Sequence, residues 1–296
     1  VEVVAGALED DAALQKAIAG CGAVVNLGAL ARACLRDPED YFRINARAVE
    51  IMLRQAAREG VERFVHVSSV AALAPERYAD FPGLSKRPTR YGLSKTASEL
   101  LVRSYAAAGR HGVIVRPSRV YGPGPWTDAN ATTRLMAMYL TGRLRVRLAD
   151  RGAEANYVHV DDVAGGIVAA LRHGRPGRAY NLGGENATFE DFLATIATAS
   201  GVSRVVVPIP PQAVLPIAAW NAWWGRRGVE VSLTPDWLNN FLEHRPMDLT
   251  SSREDLGYDP RPLATGVPQT LAWLAGQDGG DRCVSGAVRL LRRIEA

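Results

Sequence analysis

The chain has 296 residues, of which 47% are hydrophobic and 22% charged, and its formal net charge is +4. This composition is typical of a soluble globular protein and excludes disorder, collagen and coiled coil as the main state of the chain. The small positive excess does not indicate nucleic-acid binding. The length allows one large domain, or a large domain with a smaller one beside it.

Cysteine, histidine and hydropathy patterns exclude further classes. Cys21, Cys34 and Cys283 are too few and too widely spaced for a disulfide framework, and they favour a reducing cytosol. The histidines stand singly, so the sequence predicts no metal site. The most apolar segment, 213–224, contains Pro216 and is shorter than the ~18–20 residues that span a bilayer. We therefore expect a cytoplasmic protein without a transmembrane span.

Short β-branched runs alternate with helical patterns, which predicts an α/β fold with a parallel sheet. The predicted strands are VEVV (1–4), AVVNL (23–27), RFVHV (63–67), GVIVR (112–116) and RAYNL (178–182). A helix is expected between the second and third strands, with Asp37 as its N-cap, Pro38 at its first position and Gly60 at its end. A second helix is predicted from about Tyr91 to just before Gly109.

The C-terminal part has its own signals. A third helix is expected after Asp161, and Thr188 and Asp191 have the spacing of a capping box, with Gly201 as the matching stop. After Gly201 the composition changes and indicates a different packing unit. Its markers are four prolines and four of the six tryptophans, namely Pro208, Pro210, Pro211, Pro216, Trp220, Trp223, Trp224 and Trp237.

These signals predict a Rossmann-type doubly wound parallel sheet with a smaller C-terminal substrate-binding domain. The dinucleotide-binding domain is expected at 1–118 and 156–182. The substrate-binding domain is expected at 119–155 and 183–275, and 276–296 is expected to be a loose tail that ends in a short basic helix.

The strongest chemical signal is the pair Tyr91 and Lys95 at the start of a predicted helix. Side chains four residues apart share a helical face, and an ammonium group beside a phenol lowers the pKa of the phenol. Ser69 lies at the carboxyl end of a predicted strand, where open α/β sheets present groups to ligands, and Ser68 competes with it for that role. YxxxK alone is a weak pattern, for which a solvated lysine at a helix start is the ordinary alternative.

Taken together, nine stretches in order resemble the extended short-chain dehydrogenases/reductases, of the NAD-dependent epimerase/dehydratase and 3β-hydroxysteroid-dehydrogenase-like branch. The stretches are GALEDDAAL, AVVNLGAL, the helix around Asn45, RFVHVSS, YGLSK, VRPSRVYGPG, NYVHVDDVA, AYNLGG and LGYDPRP, and they cover most of the chain from Val1 to about Trp273. The resemblance implies an enzyme with bound NAD or NADP and a Ser-Tyr-Lys site.

The resemblance also implies a role for each residue that matches the family motifs. Ser69 would hydrogen-bond the substrate oxygen, Tyr91 would transfer its proton, and Lys95 would hold the nicotinamide ribose and lower the pKa of Tyr91. The residues expected at the cofactor are Leu8, Leu27, Gly28, Ala29, Asn45, Lys95, Pro117 and Ser118.

Two departures from the family pattern concern the cofactor. Ala7 stands where relatives carry an acidic residue, and the glycine-rich fingerprint is absent, since Gly20 and Gly22 precede a strand and are expected to form a tight turn. The first predicted strand matches the third strand of the family, so we expect an N-terminally truncated chain. Such a chain would be poorly soluble and would not retain dinucleotide. NAD and NADP are not distinguished.

The substrate is predicted from AVLPIAAWNAWWG, which favours an apolar, steroid-like alcohol or ketone, although the same tryptophans would equally suit a domain core. A nucleotide-sugar epimerase or dehydratase stays open, because five arginines could contact a diphosphate, namely Arg119, Arg134, Arg143, Arg145 and Arg147. A non-catalytic dinucleotide-binding module is the third alternative. A small-molecule substrate is the expected partner, nucleic acid is not, and a homodimer is left open.

Overall fold

A computed structural model of the chain describes residues 2–276, apart from Ala33, Ala79, Asp80, Pro82, Gly83, Ser85, 127–129, Glu230 and Ser232. The expected tail therefore lies outside the described residues from position 277 onward, and so does Cys283.

Four parallel strands form the central sheet in the order β1, β2, β3, β7. The strands in the described residues are β1 (Ala23–Asn26), β2 (Arg63–Val67), β3 (Gly112–Pro117), β4 (Arg119–Tyr121), β5 (Val146–Leu148), β6 (Glu154–His159), β7 (Ala179–Leu182), β8 (Glu185–Thr188) and β9 (Val207–Ile209). Strands β4, β6 and β8 form a second sheet, and β5 pairs with β9. The expected parallel α/β sheet is confirmed, and RFVHV forms β2 residue for residue.

Helices cover both faces of the central sheet. They are α1 (Asp11–Ile18), α2 (Asp40–Phe42), a π-helical turn (Arg43–Arg47), α3 (Ala48–Arg58), α4 (Arg90–Ala107), α5 (Ala131–Leu140), α6 (Val160–His173), α7 (Phe189–Ser200), α8 (Pro211–Gly225), α9 (Pro235–Leu242), α10 (Thr250–Leu256) and α11 (Leu263–Gly276), with a short 3-10 turn at Val70–Ala72. None of these helices is both long and apolar enough to cross a membrane.

Each face of the central sheet has its own apolar core. On one face Phe64 and Ile114 pack against α1, α3 and α4, in a cluster that includes Met52 and Val102. On the other face β2, β3 and β7 pack against α6 and α10. Strands β2 and β3, in the middle of this sheet, are largely buried and form apolar runs in the sequence, whereas β1 lies at the edge of the described sheet and is partly exposed.

A third core joins the second sheet to α5, α7 and α11. Tyr157 and Phe192 stack there with ring centroids 4.4 Å apart, and Leu140 and Ile196 are fully buried. The capping box of α7 is confirmed: Asp191 N donates to Thr188 Oγ1 at 3.1 Å and Thr188 N donates to Asp191 Oδ2 at 3.2 Å. The division into two domains at the expected boundaries stays a prediction.

Two local predictions are wrong. Residues 2–4 of the expected first strand form no strand, and Val3 is 84% exposed, because the segment pairs with no described strand and a strand is stable only in a sheet. The helix expected to begin after an Asp37 N-cap begins at Asp40, with Glu39 as N-cap. Asp37 Oδ1 instead accepts from Glu39 N at 2.9 Å, which closes a turn ahead of the helix.

The start of α4 lies directly against the 3-10 turn that follows β2. A Cβ atom on Gly92 would lie 2.5 Å from the backbone oxygen of Ala71, which is too close for any real contact. Thr89 caps the helix here, because its Oγ1 accepts from Gly92 N at 3.1 Å. The absence of a side chain at Gly92 therefore sets how closely α4 approaches the end of β2.

We expect Gly92→Ala to lower the free energy of unfolding by about 1–3 kcal/mol, because backbone atoms must shift to admit the methyl group. Gly165→Ala in α6 is the matched control: its Cβ would meet no atom within 4 Å, so it should be neutral or stabilising by up to about 1 kcal/mol. Urea unfolding of both variants measures the difference, and equal stabilities would contradict the close approach.

Candidate active site

The carboxyl ends of β1, β2 and β3 lie at one edge of the central sheet, because the three strands are parallel. Gly28 follows β1, Ser69 follows β2 and Ser118 follows β3. This edge is where open α/β sheets bind ligands. The fold thus brings together three of the residues that the sequence predicted for the site.

Tyr91 and Ser69 meet beside this edge. Ser69 begins the 3-10 turn, with its Oγ accepting from Ala71 N at 3.2 Å. Burial raises the pKa of the Tyr91 phenol, and a hydrogen bond with the Ser69 side chain opposes that increase. At neutral pH the phenol is therefore protonated and able to donate.

Lys95 lies one helical turn after Tyr91 and is 1% exposed. Its Nζ donates to the backbone oxygen of Val67 at 2.9 Å, at the last residue of β2. Burial lowers the pKa of Lys95 to about 8, while the charge of Glu99 raises it. The pKa of Tyr91 is shifted by its burial and by the Ser69 side chain. That Lys95 lowers the pKa of Tyr91 stays a prediction.

A series of buried polar side chains, joined by hydrogen bonds, lies beneath these residues. Asn26 Nδ2 lies 3.1 Å from His66 Nδ1, and His66 Nε2 lies 2.8 Å from Ser98 Oγ, which in turn donates to the Lys95 backbone oxygen at 2.8 Å. Asn26 Oδ1 accepts from Gly28 N at 3.0 Å. An amide N–H pointing at Nδ1 assigns the imidazole proton to Nε2. These hydrogen bonds link the loop after β1 to the helix that carries Tyr91.

A second buried cluster fixes Ser68. Its Oγ donates to Glu99 Oε1 at 2.7 Å, and Arg116 Nε donates to the same oxygen at 2.7 Å, while a second Arg116 nitrogen pairs with Glu99 Oε2. Ser68 is 5% exposed and its hydroxyl is occupied by this carboxylate. Of the two serines, Ser69 is therefore the one beside the phenol.

Leu8 and Gly28, both expected at the cofactor, are in contact. A Cβ on Gly28 would lie 2.8 Å from Leu8 Cδ1, so any larger residue would displace the end of the Leu8 side chain. Leu27 and Ala29, on either side of Gly28, are exposed. The loop after β1 therefore presents backbone and short side chains, as expected for a surface against which a flat ligand lies.

Asn45 supports this loop from behind. It lies in the π-helical turn and is 1% exposed. Its Oδ1 accepts from Leu30 N at 2.7 Å, and its Nδ2 donates to Leu30 O and to Ser94 Oγ, both at 3.0 Å. Because the amide is fully used in these bonds, Asn45 positions the loop rather than presenting a free group.

Pro117 ends β3, and the Ser118 hydroxyl that follows is buried without a hydrogen-bond partner in the described residues. A buried hydroxyl that lacks a partner is costly, and a ligand oxygen would satisfy it. Together with the Leu8–Gly28 contact, this orphaned group makes the edge of the sheet a good fit for a nicotinamide dinucleotide.

A cavity of about 670 Å³ opens beside Tyr91. Its apolar lining residues are Ala31, Ala131, Leu135, Met138, Leu144, Leu233 and Trp237, and its polar ones are Arg32, Tyr41, Thr89, Tyr91, Arg134, Asp236 and Asn240. Burial raises the pKa of Asp236, which indicates a poorly hydrated part of the chain. The volume is within the range of small-molecule sites.

The five arginines suggested for a diphosphate are placed differently. Arg134 lines the cavity, whereas Arg119 donates to Tyr157 Oη at 3.2 Å and to Asn240 O at 2.9 Å. Arg147 pairs with Glu190 at 2.5 Å. Arg143 and Arg145 are exposed.

Neither a metal site nor a disulfide occurs in the part of the chain that the structure describes. No group of three or more metal-ligating side chains is found there. Cys21 and Cys34 are free thiols.

Sequence reasoning missed the buried polar residues that hold the site together, which are Asn26, His66, Ser98, Glu99 and Arg116. Asn26, His66 and Arg116 lie in stretches that resemble the family, but no residue pattern indicates that these side chains bond to one another. The one available signal was spacing: Ser98 and Glu99 lie three and four residues after Lys95 and so share its helical face.

Known proteins resemble this chain over most of its length. The sequence profile of the NAD dependent epimerase/dehydratase family matches residues 1–183. A dTDP-glucose 4,6-dehydratase of Streptomyces antibioticus is 28% identical over 81% of this chain, and the match spans 65% of that protein.

Two further proteins are similar. A 4-hydroxy-2-methyl-3-oxo-4-farnesyl-3,4-dihydroquinoline-1-oxide ketoreductase of Stigmatella aurantiaca is 30% identical over 87% of this chain and 78% of its own length. The crystal structure of gox2253 superposes with a TM-score of 0.71 at 27% identity, covering 93% of this chain and 84% of that one.

The parallel sheet, the ligand edge and the family match define an α/β enzyme fold of the dinucleotide-binding type. The chain belongs to the NAD-dependent epimerase/dehydratase family, within the extended short-chain dehydrogenases/reductases. The resemblance predicted from the sequence is confirmed. The cofactor class expected from it, a nicotinamide dinucleotide, agrees with the description of the family as NAD dependent.

Because His66 is one of these buried polar side chains, it predicts how the free energy of unfolding depends on pH. Burial, together with the charge of Lys95, lowers the pKa of His66 to about 3, whereas an unfolded histidine has its ordinary value of 6.5. Because only the unfolded state takes up this proton between pH 7 and pH 5, His66 should cost about 2 kcal/mol of unfolding free energy over that interval. Urea unfolding at a series of pH values measures the slope.

His173→Gln, at the exposed end of α6, is the matched control and should keep the wild-type slope, whereas His66→Gln should flatten it. NMR of the imidazole gives an independent readout, in which the His66 ring signals stay constant from pH 7 to pH ~4.5. Titration of His66 near its ordinary pKa would contradict the buried, neutral ring.

Proposed function

We propose that the protein interconverts a secondary alcohol and a ketone by hydride transfer, with Ser69, Tyr91 and Lys95 as its catalytic residues. The observation that carries this proposal is the position of the Tyr91 phenol, which lines the 670 Å³ cavity and whose pKa is lowered by the Ser69 side chain against the increase due to burial. A hydroxyl beside a protonated phenol, with an ammonium group one helical turn after the phenol, supplies the groups that carbonyl reduction requires.

In the direction of reduction, the Ser69 hydroxyl donates a hydrogen bond to the carbonyl oxygen and polarises it. The Tyr91 phenol, kept protonated at neutral pH by its burial, gives its proton to the same oxygen as the alcohol forms. A bound nicotinamide dinucleotide supplies the hydride. In oxidation Tyr91 accepts the proton back.

Lys95 would contact the nicotinamide ribose, and its charge would stabilise the phenolate that proton transfer leaves behind. Leu8, Leu27, Gly28 and Ala29 would hold the dinucleotide along the loop after β1. Pro117 and Ser118 would lie at its nicotinamide end, with the orphaned Ser118 hydroxyl as a donor. Asn45 supports the loop and would not touch the cofactor.

The cavity favours an apolar substrate. Half of its lining residues are aliphatic, methionine or tryptophan side chains, including Leu135, Met138 and Trp237. Transfer of apolar substrate surface into such a cavity stabilises the complex by about 25 cal/mol per Å². The ketoreductase of Stigmatella aurantiaca, whose name includes a farnesyl chain, is a relative of matching chemistry.

A nucleotide-sugar substrate is the second candidate, because Arg32 and Arg134 both line the cavity and a guanidinium binds phosphate well. The similarity to a dTDP-glucose 4,6-dehydratase supports it. Turnover of a long-chain hydrophobic ketone compared with that of dTDP-glucose distinguishes the two. Arg134→Ala should abolish use of the nucleotide sugar and leave reduction of an apolar ketone within about tenfold.

Tyr91→Phe tests the catalytic role. Loss of the phenolic proton should lower kcat for ketone reduction by about 10²–10⁴-fold, which is the usual contribution of a positioned acid. Cofactor binding, measured by titration of nucleotide fluorescence, should persist. If the variant turns over as fast as the wild type, Tyr91 is not the acid of the reaction. If the wild type binds dinucleotide but turns over no ketone, the chain is a binding module.

Tyr41→Phe is the matched control for that variant. Tyr41 lines the same cavity, and its ring lies edge-on to that of Tyr91 with centroids 6.1 Å apart. Its hydroxyl donates to the backbone oxygen of Arg32 at 2.5 Å and so has a structural partner. We expect Tyr41→Phe to change kcat by less than about tenfold.

The pH dependence of turnover tests Lys95. Because burial lowers the pKa of Lys95 to about 8, its charge is present below that pH and is lost as pH rises through it. The rate of ketone reduction should therefore be constant below pH 8 and fall above it. Lys95→Met should be slow at every pH and lack the inflection, and a wild-type rate that stays flat to pH 10 would contradict the role.

A further inference from the structure

Helix α8 exposes an apolar face. Trp220 is 61% and Ile217 56% exposed, and Trp223 and Trp224 are each 39% exposed. Pro216 and these four residues recur at the spacing of one helical face. The indoles touch one another: the Trp220 and Trp223 rings stack with centroids 5.5 Å apart, and the Trp223 and Trp224 rings meet edge-on at 4.9 Å. The substrate-side core therefore does not contain them.

The opposite face of α8 is already used for packing. Ala218 and Gly225 are buried, and a Cβ on Gly225 would lie 2.6 Å from Cys34 Sγ. Asn221 Nδ2 donates to Leu233 O at 3.1 Å. The helix is thus apolar on both sides while one side packs against the protein, and a helix that is apolar all round requires a second apolar environment.

The exposed indoles lie beside two positive charges. Arg226 and Arg227 directly follow α8 and are exposed, and α8 itself contains no charged residue. Arg227 lies over the Trp223 ring, 3.3 Å from its centroid, at the C-terminal end of α8. None of the three exposed indole N–H groups donates to another described residue. Indoles beside arginines suit the boundary between headgroups and acyl chains of an anionic bilayer.

We propose that α8 docks the protein on an anionic lipid surface, with Trp220, Trp223 and Trp224 in the headgroup–acyl boundary and Arg226 and Arg227 against lipid phosphates. The helix would lie in the plane of the surface rather than cross it, which agrees with its 15 residues and its proline. These tryptophans and arginines are separate from Ser69, Tyr91 and Lys95.

The position of α8 explains what docking would serve. Its buried face contacts two segments at the cavity: Cys34 follows the lining residue Arg32 by two positions, and Leu233 is itself a lining residue. Docking on α8 would hold the cavity beside the lipid surface, so that an apolar alcohol or ketone reaches it from the membrane. This purpose, though not the docking itself, rests on the proposed function.

A second copy of the chain fits the same face less well. In a symmetric dimer the same patch meets itself, and α8 offers no carboxylate that could pair with Arg226 and Arg227 of the other copy. An anionic surface complements these charges directly.

Co-sedimentation of the purified protein with vesicles tests the proposal. Binding is expected to vesicles with about one third phosphatidylglycerol in phosphatidylcholine, to be weak on phosphatidylcholine alone, and to fall with added salt. Trp220→Ser/Trp223→Ser/Trp224→Ser should weaken binding at least about tenfold, because it removes the apolar insertion. Arg226→Gln/Arg227→Gln should weaken binding to the anionic vesicles about fivefold for each arginine.

Val3→Ser/Val168→Ser, which also changes exposed apolar residues, is the matched control and should bind as the wild type does. Brominated acyl chains provide a readout that needs no variant, since they should quench the fluorescence of the wild-type protein. Thermal unfolding of each variant establishes that it is folded. If the triple variant is unfolded, quenching and the arginine variant decide the question.

Two results would overturn the proposal: wild-type protein that ignores anionic vesicles, or concentration-dependent self-association that the tryptophan substitutions abolish while vesicle binding is absent. The second would make this face an interface between copies. Tyr91→Phe should bind vesicles normally, and the triple tryptophan variant should reduce a short water-soluble ketone normally. Failure of the docking and failure of the proposed function are therefore seen in different measurements.

Discussion

The arrangement of the site depends on one buried ammonium group. Lys95 Nζ has left water almost completely, and it donates to the backbone oxygen of Val67 at 2.9 Å while Glu99 lies one helical turn away. A buried charge without such partners is strongly destabilising. The bond therefore fastens α4 to the end of β2 and fixes the distance between Tyr91 on the helix and Ser69 after the strand. One bond thus contributes both to the stability of the fold and to the spacing of the proposed catalytic residues.

The polar residues around Lys95 extend that constraint to the neighbouring strands. Asn26, His66 and Ser98 tie the end of β1 to α4, and Arg116 ties the end of β3 to Glu99. Apolar side chains of similar size would pack the same space without specifying a register. Satisfied buried networks select one arrangement, because any shift leaves donors or acceptors unpaired. Buried side chains beneath this edge of the sheet thus hold it in one arrangement.

Much of the fold was predictable because its signals are local. The parallel strands are continuous apolar runs, and α4 and α7 carry their caps in the sequence, at Thr89 and at the Thr188–Asp191 box. The strand predicted at VEVV was wrong, because a strand forms only beside a neighbouring strand, which the local sequence does not reveal. The candidate residues Ser69, Tyr91 and Lys95 were predictable, because Ser69 follows a predicted strand and Tyr91 and Lys95 are four residues apart in a predicted helix. The network beneath them was not, since Asn26 and His66 are 40 residues apart and nothing in their separate stretches indicates that they pair.

The π-helical turn at Arg43–Arg47 accommodates one residue more than a regular helix would. Deleting one residue there would restore regular α-helical winding and displace the side chains of the turn relative to α3. That displacement would move Asn45 away from Leu30 and disturb the neighbouring bond from Tyr41 to Arg32, and these bonds shape one wall of the cavity. The size of the cavity in related chains should therefore change with insertions and deletions in this helix as much as with the side chains that line the cavity.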